Sequence, residues 1–179
     1  AIATVYILRL PGVYWKSILR TAIIFGLLTG SMEVINISIE NGIPFNAHGA
    51  AMPISFMLLV FIFWGVAGFR TARSLRSIRG GLLAAILSAG ICMLIAIAAG
   101  FLVQFVLSPP ASAVVSDWVE FNRSGWTDAH AFAIANTFDS GFTHLVMAPL
   151  VGLVFGGAGS VMAQLGSYGA SGITDQSLS

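Results

Sequence analysis

Charged side chains are scarce in this sequence. Eight Lys/Arg and seven Asp/Glu make up 8% of 179 residues. A soluble domain carries roughly 25%, so a water-facing surface cannot be built from this chain. Soluble, nucleic-acid-binding and disordered classes are excluded. Cysteine is almost missing as well. Cys92 stands alone, which excludes an intrachain disulfide and a thiolate metal cage. No nucleophilic triad, phosphate loop or dinucleotide fingerprint occurs, and GxxxG inside an apolar run is not a phosphate loop. Apolar residues are abundant instead, at 57% with a mean hydropathy of +0.91. That is the composition of an integral membrane protein.

A bilayer core about 30 Å thick is crossed by roughly 20 apolar residues in a helix. Four stretches have that length, over about 17–39, 50–69, 81–107 and 141–165. Their continuity predicts helices, since a transmembrane barrel would show shorter alternating segments. The fold class expected is an all-α membrane bundle of four transmembrane helices. Residues 1–16 read as an interfacial N-terminal segment, 17–165 as the four-helix transmembrane domain, and 166–179 as a flexible cytoplasmic tail. A long external connection from Pro109 to Ser140 carries Trp118 and Trp126, which suit a membrane interface. Pro149 predicts a kink near Leu145 in the fourth helix.

Orientation follows from the cations. Arg9, Lys16, Arg20, Arg70, Arg73, Arg76 and Arg79 fall on one side, and only Arg123 on the other. The positive-inside rule then places both termini in the cytoplasm. The expected location is a bacterial inner (cytoplasmic) membrane. The run Arg70, Arg73, Arg76 and Arg79 reads as anionic lipid headgroup contact, worth about 1 kcal/mol per charge. Gly26 with Gly30, and Gly152 with Gly156, form small-xxx-small pairs that let helix backbones approach in lipid. Such faces serve packing within the bundle or contact with another subunit.

The polar residues are concentrated. Thr29, Glu33, Asn36 and Glu40 are spaced four, three and four, which puts them on one face of the first helix. Asn136, Asp139, Ser140, Thr143 and His144 fall on or just before the fourth helix, and Gln104 lies on the third at the same level. A carboxylate such as Glu33 inside an apolar run is costly unless paired or protonated. Glu33 and His144 are natural partners, either as a buried pair that fixes helix register or as a site handling a proton, ion or ligand. A metal would need His144 with Glu33 or Asp139, plus His130 or His48, but no tight ligand spacing supports one. A b-haem needs two facing intramembrane histidines and only His144 qualifies, whereas a chlorophyll-type pigment needs a single axial ligand.

The function expected from the sequence is therefore a non-catalytic subunit or scaffold of a larger membrane complex, with helix faces for subunits and lipid. The alternative is a small transporter or channel-like protein using Glu33, Asn36, Asp139, Thr143 and His144, or a cofactor- or pigment-binding subunit through His144.

Overall fold

A computed structural model of the chain describes residues 12–42, 51–106 and 119–174, with side chains over 14–39, 51–103 and 119–166. Arg9, His48, Pro109, Asp117, Trp118 and Asp175 lie outside the described residues, as do the side chains of Glu40 and Gln104. The helices are α1 (Gly12–Gly42), α2 (Ala51–Leu75), α3 (Ile78–Val106), α4 (Val119–Ser124) and α5 (Ala129–Thr174), and no strand occurs among the described residues. Four of them, α1, α2, α3 and α5, are long and apolar enough to cross a membrane. The chain is a multi-pass integral membrane protein.

The distribution of side-chain sizes supports that class. The buried residues are mostly small: Ala22, Ala67, Ala72, Ala84, Ala85 and Ala89 are all fully covered. Large apolar residues such as Ile24, Leu27, Leu58, Ile62, Leu94 and Val154 point outward. In water this arrangement would be inside out. In lipid it is favourable, because lipid tails solvate Leu and Ile while small residues bring helix backbones together. Several hydroxyls within the apolar helices bond to their own backbone. Thr29, Ser88 and Ser160 reach the carbonyls of Phe25, Ala84 and Gly156, four residues back, at 2.7, 2.7 and 2.6 Å. No hydroxyl among these three needs water.

α1 and α5 each pack against both α2 and α3, while α1 and α5 make no comparable contact with each other. Glycines fix the registers. Gly26 and Gly30 of α1 receive Ile91 and Ile95 of α3, and an added Cβ would come within 2.7 and 2.6 Å of those side chains. The two helices thus run in the same direction. On α5, Gly141, Gly152 and Gly156 meet Ile97, Ala89 and Ala85 of α3 in descending order, so α5 runs the opposite way. The closest approach is lower down, where Gly68 of α2 faces the Gly156 carbonyl and Gly159 faces the Gly65 carbonyl. Gly81 of α3 closes the same knot against Ser160 and Gly68. Backbones meet there with no side chain between them.

The α2–α3 turn is two residues long. Arg76 has φ 48°, the left-handed conformation that ends a helix. Ser77 N–H donates to the Ala72 carbonyl at 3.1 Å, which closes that cap. Ser77 Oγ then accepts from the Gly80 N–H at 3.2 Å and starts α3. Arg76→Gly is expected to raise stability by about 1 kcal/mol, because arginine is strained at positive φ. Ser77→Ala is expected to lower it by about 1 kcal/mol. Thermal unfolding in one detergent checks both signs.

α5 begins at Ala129, not near Gly141. Two causes extend it. Asp128 caps its start, accepting from the N–H groups of His130 and Ala131 at 2.9 and 3.1 Å. Phe132 packs against Phe121 and Trp126, and Phe138 against Phe101, with centroids 4.6–6.0 Å apart. Phe121 belongs to α4, which ends at Gly125 with φ 76°. α5 also stays helical beyond Pro149 and continues to Thr174, past the start of the expected tail. At 1.5 Å per residue its 46 residues span about 69 Å, more than twice a bilayer core of about 30 Å.

Candidate functional site

Five of the cations and the polar cluster sit at opposite ends. Arg73, Arg76 and Arg79 surround the α2–α3 turn, and Lys16 and Arg20 open the parallel helix α1, so all five gather at one end, each exposed. At the other end the helices part. A cavity of about 530 Å³, partly open, lies among α1, α2, α3 and α5. The size falls within the roughly 300–1,000 Å³ of small-molecule sites.

Its floor is core. Val60, Trp64, Met93 and Ala148 line the cavity and also belong to the buried apolar cluster, which Phe61 and Val151 support from the side. Phe61 stacks at a tilt between Trp64 and Phe155, with centroids 5.5 and 5.0 Å away. The indole Nε1 of Trp64 is buried without a hydrogen-bond partner. Pro53, Ile54 and Met57, at the start of α2, form the wall farthest from the cations.

Polar groups come from α1 and α5, the two spanning helices with the least contact between them. α1 supplies Glu33 and Asn36, and α5 supplies Asn136, Thr137, Ser140 and His144. The registers set their level. Gly30 meets Ile95 and Gly141 meets Ile97, so Glu33 on α1 and Ser140 on α5 lie within about one helical turn in height. Both Glu33 and Asn36 are half-buried and hold other contacts within the chain.

His144 has a defined tautomer. Its Nδ1 is 2.7 Å from the Ser140 carbonyl oxygen, which can only accept, and 3.2 Å from Ser140 Oγ. Nδ1 therefore carries the proton. In the neutral ring, Nε2 is left as an acceptor.

The structure divides the residues that the sequence groups together. Thr29 is fully buried and bonded to Phe25, in the α1–α3 contact and beside Cys92, so it belongs to packing. Glu33, Asn36 and His144 line the cavity. Asp139 and Thr143 do not; both are exposed on α5. Asn136, Ser140 and His144 recur every four residues, which keeps them on one face, and Asp139 and Thr143 fall off that face. Trp64, Phe61, Met57 and Met147 also line the cavity, and nothing in the sequence separates them from other apolar residues. Gly26, Gly30, Gly152 and Gly156 all meet neighbouring helices of the same chain.

Among the described residues, no three His, Cys, Asp or Glu side chains converge as a metal site would require. His130, half-buried near the start of α5, does not join His144 and Glu33 in such a set. The arrangement is suited to holding a small molecule by its polar groups, with an apolar floor to cover the rest. Comparison of the chain with protein families, curated proteins and solved structures gives no match.

Proposed function

We propose that this chain binds a small molecule within the membrane, in the outer half of a four-helix bundle, and serves as a transporter or a ligand-binding membrane subunit. One observation carries this reading. Polar side chains from α1 and α5, the pair of spanning helices with the least contact between them, line one cavity of about 530 Å³. A pair kept only for register would close that space. In the proposed topology both termini are cytoplasmic, the arginine end faces anionic lipid headgroups in a bacterial cytoplasmic membrane, and the cavity opens toward the outside.

The scaffold reading keeps one observation of its own. Asp139 and Thr143 are exposed on α5 and turned away from the cavity. A carboxylate on an outward face near membrane depth favours water, headgroups or a second subunit. The two readings are compatible in a binding subunit of a larger complex.

A double-mutant cycle on Glu33 and His144 separates site from strut. A structural ion pair would make Glu33→Leu cost about 3–5 kcal/mol, and His144→Phe added to it would recover much of the loss. The proposal expects the two effects to add, with an interaction energy within about 0.5 kcal/mol of zero. An interaction of about 2 kcal/mol or more in thermal or denaturant unfolding would return the cluster to a structural role.

A further inference from the structure

We infer that the cavity takes an organic cation with an apolar body, with Glu33 as its counter-ion. The inference rests on the binding-site reading above and adds the class of ligand.

The charge on the wall is one-sided. Among the described residues, Glu33 is the only formally charged one lining the cavity, and no Lys, Arg or Asp faces it there. Six of the seven described cations, Lys16, Arg20, Arg70, Arg73, Arg76 and Arg79, belong to the opposite end of the bundle, and the seventh, Arg123 on α4, does not line the cavity. Among the described residues an anion entering the site would meet a carboxylate and no Lys or Arg, at low dielectric, where Coulomb terms are largest.

Beside the Trp64 Nε1–H, a donor buried in the floor, His144 adds an acceptor to the wall. The Nδ1 proton of His144 is held by the Ser140 carbonyl, so the neutral ring presents Nε2 as an acceptor. Glu33 and His144, on opposite walls, both favour a ligand that donates protons or carries positive charge. The floor fits the remainder of such a molecule. Phe61, beside the buried Trp64, offers a π face of the kind that attracts cations. Met57, Met93 and Met147 are unbranched and polarizable, so they adapt to an irregular apolar shape.

The test uses the full chain in lipid nanodiscs, with empty nanodiscs subtracted. The probes are tetraphenylphosphonium, tetraphenylborate and neutral triphenylmethane. The first two share a four-phenyl shell and differ in the sign of charge. The expected result is saturable phosphonium binding, at least about tenfold tighter than borate. Glu33→Gln should weaken phosphonium binding about tenfold and shrink the phosphonium-to-borate ratio toward one. The wild-type ratio does not depend on how that variant folds. Binding that is blind to charge, or a ratio unchanged in folded Glu33→Gln, overturns the cation inference while leaving a binding cavity. If none of the three probes saturates, the cavity reading fails and the inference falls with it.

Discussion

Alanine at Gly156 is expected to lower stability by roughly 2–3 kcal/mol, and leucine there to prevent assembly of the helices. Alanine is usually the mild replacement for glycine in a helix, gaining about 0.5–1 kcal/mol. Here its Cβ would collide with the Cβ of Ala85, itself fully buried. Gly68→Ala and Gly159→Ala should be at least as damaging, since the obstructing atoms are the backbone carbonyls of Gly156 and Gly65. A side chain can rotate away from a clash, but a helix backbone moves only with its helix. Gly90 and Gly166 are the controls. A Cβ at either meets nothing within 4 Å, so alanine should be neutral or slightly stabilising. Thermal unfolding of the five alanine variants in one detergent reads the series. Equal tolerance at Gly156 and Gly90 would mean that α2, α3 and α5 do not meet at this knot.

The knot and the cavity occupy different levels of the bundle. α2, α3 and α5 are held backbone to backbone at the level of Gly68, Gly81 and Gly156. The cavity opens farther along the same helices, lined from Pro53 on α2, Gly100 on α3 and Asn136 on α5. Any widening of the site would then pivot at the glycines. Met32, Phe61 and Val151 pack on the apolar cluster that forms the cavity floor.

Much of the fold was legible because lipid imposes simple rules. Twenty apolar residues without charge must be helical, so all four spans could be placed. The ends were less legible. Asn136, Asp139 and Ser140 read as a loop by hydropathy, yet they continue α5, because the Asp128 cap and the Phe132 and Phe138 contacts lie outside an apolar-window count. The site was half legible. Glu33, Asn36 and His144 stand out as polar residues in apolar runs, and the structure sets them on one cavity. Thr29 shares their helical face by spacing but lies lower, at the α1–α3 contact. Which polar residue meets a void and which meets a helix depends on helix separation, and spacing along one helix carries no record of that. The aromatic and methionine floor was illegible for the same reason.

Thiol accessibility at position 140 tests the central claim most directly, that the polar cluster faces an open cavity. The parent chain carries only Cys92, fully buried, as an unreactive internal reference. Single variants Ser74→Cys, Ser124→Cys and Ser140→Cys would be treated in sealed vesicles with a membrane-impermeant, water-soluble thiol reagent. Ser74 and Ser124 are exposed and lie on either side of the proposed membrane, next to the α2–α3 turn and at the end of α4. Ser77 is left intact because it caps α3. The account predicts that Ser140→Cys reacts at least about a hundredfold faster than Cys92, as an exposed thiolate-forming group does relative to a buried one, and from the same side as Ser124→Cys. Ser74→Cys should react only from the opposite side. A cysteine at position 140 as inert as Cys92, or one reached from the Ser74 side, would contradict the account.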